Sequence, residues 1–260
     1  NNKLLLTPDP DETRLGISLT IHKIGEEFIC WSDEFKECFE FSLHISYPEI
    51  SLPENKETEN KINRDIEKMY GEETVLFEKR KKECDENPAD TSGFQYYFSA
   101  TAIDIEHCYS DAYFISFSYR WEYHDESAFA PYQSTDAGMN YDLTNGKRIY
   151  LHDLLVPGKE KYLSPFLSDP FSANETHRKN VALQKSRDNE FYIRKTTGGD
   201  IIMEIHLPPF TTWYDNGGNE HYLGRLERLQ FEIPLWQMTG CLNPESVIKN
   251  TLLESVLHRN

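Results

Sequence analysis

The sequence predicts an α+β fold, with mostly antiparallel sheet and two or three helices packed on it. Three observations predict it. Apolar residues alternate with period two over several runs, the pattern of half-buried strands. One long stretch instead repeats its apolar residues at three, four and seven, the pattern of a helix face. Turn signals join the strands more often than helices do, which disfavours a doubly wound α/β arrangement.

The elements follow in order. Pro8, Asp9, Pro10, Asp11 and Glu12 mark a solvated tail or strap. Leu15, Ile17, Leu19 and Ile21 alternate as a first strand. Phe39, Phe41, Leu43, Ile45 and Tyr47 form a second, expected to stop at Pro48, which cannot donate to a ladder. Over residues 55–83, Ile62, Ile66, Met69 and Leu76 or Phe77 share one helix face, with Gly71 as a point of kinking or splitting. Residues 94–124 carry the strongest strand signal, with Tyr113, Ile115, Phe117, Tyr119, Trp121 and Tyr123 on one face and a turn at Ser110-Asp111. Tyr141 and Leu143 lead into Asn145-Gly146 and on to Ile149 and Leu151, a hairpin signal that rests on positive φ. Ser172 and Glu175 have capping-box spacing and predict a helix over 172–186. Strands are expected at 190–194, 200–207 and 227–233. Asn243, Pro244 and Glu245 predict a helix start, with Ile248, Leu252 and Val256 as its apolar stripe.

Composition narrows the function. Of 260 residues, 38% are apolar and 13% aromatic, enough for a packed core and too many for a disordered chain. No apolar run is long enough to span a membrane. The net charge is −17, so the basic footprint that nucleic acid requires is missing, and an anionic membrane surface is disfavoured too. An acidic surface favours cationic partners, and it also simply keeps a protein soluble. The first residue is Asn1 rather than Met, so any signal peptide or lipid anchor is expected outside this sequence, and the membrane is reached only through such an anchor. Five cysteines are an odd number. Cys30 and Cys38 could close a small loop or stay as buried thiols, and Cys84 with Cys108 is a second candidate pair.

Several segments resemble a bacterial envelope domain. Ile45-Ser46-Tyr47-Pro48-Glu49-Ile50 followed by Lys61-Ile62-Asn63-Arg64-Asp65-Ile66 is similar to its strand ending in a Tyr-Pro step and the helix that opens on an Ile-Asn pair. Residues Tyr141 to Leu155 resemble its Asp-Leu, Gly-Lys, Asp-Leu segment, and Phe191 to Leu235 its closing strands with a final Ile-Pro step. The family includes the C-terminal domain of the anti-sigma-V factor RsiV and the N-terminal domain of the peptidoglycan deacetylase PdaC. The resemblance covers residues 39–236, leaving 1–38 as an extension with a strand and 237–260 as a helical extension, all expected to form one compact unit. It implies an exported, non-catalytic domain at the periplasm or cell surface, anchored to the membrane or to an enzyme. In the anti-sigma member this domain binds lysozyme, a basic protein. The chain departs from the family at residues 128–133, where a glycine- and histidine-bearing loop is replaced by Ala128-Phe129-Ala130-Pro131-Tyr132-Gln133.

Candidate chemistry is sparse. His124, Asp125 and Glu126 with Asp104, Glu106 and His107 offer metal-ligand types, but strand alternation leaves only two on a face, so no metal site is expected. His152-Asp153 could be an oriented histidine, and a capping role for Asp153 is the plainer expectation. No Gly-x-Ser-x-Gly, His-Glu-x-x-His or Walker-type glycine loop is present, and no cofactor is expected. Trp213, Tyr214 and Tyr222 around a glycine loop, with Phe129 and Tyr132, are the candidate partner-binding residues. The function expected is binding or sensing of a cationic protein or of peptidoglycan. The alternatives are a cell-wall glycan hydrolase with paired carboxylates, and a purely structural domain.

Overall fold

The computed structural model describes residues 17–32, 37–86, 98–125, 132–159, 190–207, 212–214, 220–222 and 229–257. The elements run β1 (Ser18–Ser32), β2 (Glu37–Ser51), α1 (Lys56–Glu86), β3 (Phe98–Ser110), β4 (Phe114–Asp125), β5 (Tyr132–Asp142), a single turn α2 (Leu151–Leu154), β6 (Glu190–Lys195), β7 (Ile201–Leu207), β8 (Thr212–Tyr214), β9 (Glu220–Tyr222), β10 (Leu229–Pro234), a 3-10 turn (Leu235–Gly240) and α3 (Lys249–Leu257). They form a five-stranded sheet in the order β1-β2-β3-β4-β5, a three-stranded sheet β10-β7-β6, and a β8-β9 pair. The α+β class is therefore as the sequence predicts. The helix expected over 172–186 lies outside the described residues.

The chain divides into two compact units. In the first, β1 and β2 pair antiparallel along their full length, whereas β2 and β3 pair in parallel. The parallel pair needs a crossover, and α1 supplies it. β2 does not stop at Pro48. Its ladder with β3 ends at Ile45, so beyond that point only one edge is paired and a proline is tolerated. Asn63 of α1 then acts as a substitute strand: its Oδ1 accepts the Ile50 N–H at 2.9 Å and its Nδ2 donates to the Ile50 carbonyl at 2.8 Å.

Asn55 caps α1, accepting the Thr58 N–H at 3.1 Å. The helix runs 31 residues without a break at Gly71 and buries Ile62, Ile66, Phe77 and Cys84 on one face. Phe77 and Cys84 pack with Cys30, Phe41, Leu43, Ile45 and Ile103. Cys84 is disulfide-bonded to Cys30, with Cα atoms 5.7 Å apart. This corrects the expected Cys30–Cys38 and Cys84–Cys108 pairings. Cys38 stands opposite Trp31, one position out of step with Cys30, so the two thiols point to opposite faces. Cys38 is an exposed thiol, Cys108 a half-buried one and Cys241 a buried one.

The second unit is built around Phe191, Ile193, Met203, Ile205 and Ile233 of the three-stranded sheet, packed with Phe114, Leu151, Leu154, Met238 and Ile248. β6 is an edge of that sheet, and its outer backbone groups are met by side chains. Asn140 Nδ2 donates to the Phe191 carbonyl at 2.6 Å, Ser116 Oγ accepts the Ile193 N–H at 2.8 Å, and Ser116 donates to Asn140 Oδ1 at 2.6 Å. Gly138 allows this approach, since a Cβ there would lie 1.7 Å from the Phe191 carbonyl oxygen. The Asn145-Gly146 turn forms with Gly146 at φ 72°, but it is closed by a single Tyr141–Arg148 bridge, and Leu151 enters a helical turn instead of a strand. The last helix starts later than its sequence signal. Asn243 accepts the Glu245 N–H at 3.0 Å in a turn, and α3 begins only at Lys249.

Two glycines give opposite expectations. A Cβ at Gly71 meets nothing within 4 Å. Gly71→Ala should therefore stabilise the chain by up to about 1 kcal/mol, read as a rise of roughly 2–4 °C in the thermal midpoint. Gly138→Ala forces the β5 and β6 backbones apart and should cost at least about 3 kcal/mol in the same measurement.

Candidate functional site

Strand alternation gives the three-stranded sheet two unlike faces. Phe191, Ile193, Ile201, Met203, Ile205 and Ile233 face the core. Tyr192 and Arg194 of β6, Glu204 and His206 of β7, and Glu232 of β10 share the opposite face. The register sets Glu204 directly between Tyr192 and Glu232. Glu204 is 1% exposed and His206 5%, so the centre of this polar cluster is buried, while Arg194 is half-buried and Glu232 exposed at its rim.

Both carboxylate oxygens of Glu204 are engaged. His206 Nε2 lies 2.9 Å from Oε1, and Arg194 Nε donates to Oε2 at 3.0 Å. Arg194 also donates through Nη2 to Glu232 at 2.8 Å. Burial pushes the Glu204 carboxyl up, but hydrogen bonds from His206, Tyr192 and Arg194 outweigh it and hold the pKa at about 2. Glu204 is thus a carboxylate, which can only accept, so His206 Nε2 carries the proton between them. The Tyr192 ring lies 5.4 Å from His206 and stacks on His107 at 5.8 Å.

An oriented histidine beside a carboxylate is the geometry of general acid–base chemistry, but a general acid needs a raised pKa and an approach for substrate. Glu204 has the reverse of the first. The glycan-hydrolase alternative looks for two facing acids. Here Glu204 and Glu232 converge, and Arg194 bridges them. Asp111 is a carboxyl that burial does raise. Its Oδ1 accepts the Tyr113 and Phe114 N–H groups at 2.7 and 2.8 Å, and its Oδ2 accepts the Thr251 hydroxyl. Oδ1 is committed to closing the β3–β4 turn and Oδ2 to tying that turn to α3.

The residues singled out from the sequence are dispersed. Trp213 and Tyr214 lie in β8 and Tyr222 in β9, which pair antiparallel with Trp213 opposite His221, Tyr214 opposite Glu220 and Tyr222 opposite Thr212. Paired strands carry them, where loops were expected. Tyr132 opens β5, and Phe129 lies outside the described residues. Of the metal-ligand types, Asp104 accepts the Ser46 hydroxyl at 3.0 Å and Glu106 pairs with Arg120 at 3.0 Å. His124 and Asp125 end β4, and Glu126 lies outside the described residues. Among the described residues no three His, Cys, Asp or Glu side chains gather in a metal-binding group. Asp153 accepts the Tyr150 N–H at 3.0 Å, capping α2, and is 3.9 Å from His152. Among the described residues no helix is long and apolar enough to cross a membrane.

No protein-family model matches the chain, and no curated protein does. Solved structures do. A DUF3298-family protein from Bacteroides fragilis aligns with a TM-score of 0.51 and 16% identity over 92% of this chain and 98% of its own. A DUF3298-family protein from Pseudomonas aeruginosa PAO1 aligns with a TM-score of 0.44 and 13% identity, over 87% and 95%. The chain therefore shares the α+β fold of the first, a domain of unknown function.

The buried network sets a pH dependence. Glu204 contributes stability that is fully present above the ordinary glutamate value of 4.5 and is lost as pH falls through about 2. Denaturant titrations should show wild type exceeding Glu204→Gln by about 2–3 kcal/mol near neutrality, with the gap closing across that window.

Proposed function

We propose that this chain is a non-catalytic, extracytoplasmic binding or sensing domain of a bacterial envelope protein, held at the membrane by an anchor outside this sequence. Its partner is a cationic protein or a cell-wall component. The observation that carries this reading is the β8–β9 pair, which brings Trp213, Tyr214 and Tyr222 onto two adjacent strands in a chain of net charge −17. Aromatic side chains anchor protein partners and stack on sugars, and an acidic surface steers cations toward them. The Cys30–Cys84 disulfide supports an oxidising compartment. The resemblance to the RsiV and PdaC envelope domains supports the same placement.

The test is a binding titration of the folded chain with lysozyme as the cationic probe and with insoluble peptidoglycan. Saturable binding to one of them is expected. Replacing Trp213, Tyr214 and Tyr222 together with Ala should weaken it by at least about tenfold. Added salt should weaken the lysozyme complex further. Saturable binding to neither probe, or binding indifferent to the triple substitution, overturns the reading.

A further inference from the structure

The outer strand of the five-stranded sheet is a long and regular edge. β1 is 15 residues long and stands at the end of the strand order, and among the described residues no strand pairs with its outer side. It contains no proline, and its ladder with β2 runs without a bulge. Natural edges are commonly blunted by such devices, because an open row of N–H and C=O groups templates another strand. The face of β1 that carries Lys23, Gly25, Glu27, Ile29 and Trp31 is exposed, and its two large apolar residues stand well out of the fold, Ile29 at 66% and Trp31 at 48%.

We propose that β1 pairs antiparallel with β1 of a second copy of this chain, centred on Gly25. A two-fold axis normal to the sheet keeps each face of the strand on its own side, so residues equally far from the centre meet. On the exposed face, Lys23 then meets Glu27 of the second copy, Ile21 meets Ile29, and Leu19 meets Trp31. Each of these pairs occurs twice. Opposite charges face each other, and both exposed apolar side chains gain apolar neighbours, the cross-strand matches that stabilise sheets. Neighbouring registers lose this. Centring on Ile24 sets Ile21 against Glu27, and centring on Glu26 sets Lys23 against Ile29. Within its own chain Glu27 has only the loose contact with His44 of β2, at 3.6 Å, among the ion pairs of the described residues. On the other face Glu26 stays ion-paired with Lys81 of its own chain at 3.0 Å. The occupant is a second copy because one register satisfies the charged and the apolar positions together. Joining the two β1–β2 pairs gives a four-stranded antiparallel ribbon, with main-chain hydrogen bonds supplying most of the affinity.

Analytical ultracentrifugation with two single variants tests the pairing. Lys23→Glu sets two carboxylates against each other at both charged pairs, and Glu27→Lys sets two ammonium groups there. Wild type should dimerise, and each variant alone should dimerise about tenfold more weakly. Mixing the variants in equal amounts restores opposite charges at both positions, since the two substituted residues meet at one and the two native residues at the other, so the mixed dimer should form at least about threefold more tightly than either variant alone. The double variant Lys23→Glu with Glu27→Lys restores both pairs in reverse, and its dimerisation should recover to within about threefold of wild type. Both residues are exposed, and circular dichroism checks that the variants stay folded. A wild-type chain that remains monomeric overturns the proposal. So does a dimer indifferent to either substitution, or a double variant that fails to recover. Protection of β1 amides from hydrogen exchange only when lysozyme is added would assign the edge to a foreign strand instead, and would equally overturn it.

Discussion

The second unit depends on how the open edge of β6 is closed. One edge of this strand pairs with β7, and the other turns its Phe191 carbonyl and Ile193 N–H into the protein interior. A buried backbone group left unmet costs about 1–3 kcal/mol. Ser116 and Asn140 meet both groups and also hydrogen-bond to each other, so two side chains replace a short strand. That arrangement demands proximity, which Gly138 permits by having no Cβ. Once β6 is seated, the side chains of Phe191 and Ile193 are delivered to the core, where α2, the 3-10 turn and α3 pack on them.

Much of this fold was legible in the sequence, because period-two and helical patterns record which face of an element is buried. The β3–β4 hairpin, the long helix and the strands at 190–207 follow that record. The misses have local causes. Pro48 suggested a strand end, and it fails to act as one because β3 has already left that side of β2. Leu151 continues an alternating pattern and is nevertheless helical, since Asp153 caps the turn at Tyr150. The parallel β2–β3 pair is invisible to patterning, which reports faces and not directions. The disulfide shows the same gap: proximity along the chain suggested Cys30 with Cys38, while strand alternation separates them and the helix brings Cys84.

The candidate sites were less legible. Trp213, Tyr214 and Tyr222 stood out by composition, but the pairing of β8 with β9 needed the backbone. The Glu204–His206 pair left a trace, as two polar residues two apart inside an apolar strand. Solvent exposure explains such a trace equally well. What distinguishes burial is Arg194 on the neighbouring strand, close in space and ten residues away in sequence. A buried carboxylate with a cation and two further donors ties β6 to β7, Arg194 carries the link on to Glu232 of β10, and the cost of desolvation is met only when all the donors are in place.

The Cys30–Cys84 bond closes a ring through 54 positions of chain, taking in all of β2 and nearly all of α1. A single peptide bond cut anywhere inside that ring opens it without releasing a fragment, since the two ends remain joined through sulfur. The connection between β1 and β2 lies within it. A protease that nicks the chain there leaves the helix, the strands and their buried face covalently together, and only a reductant added after the cut sets the two pieces free.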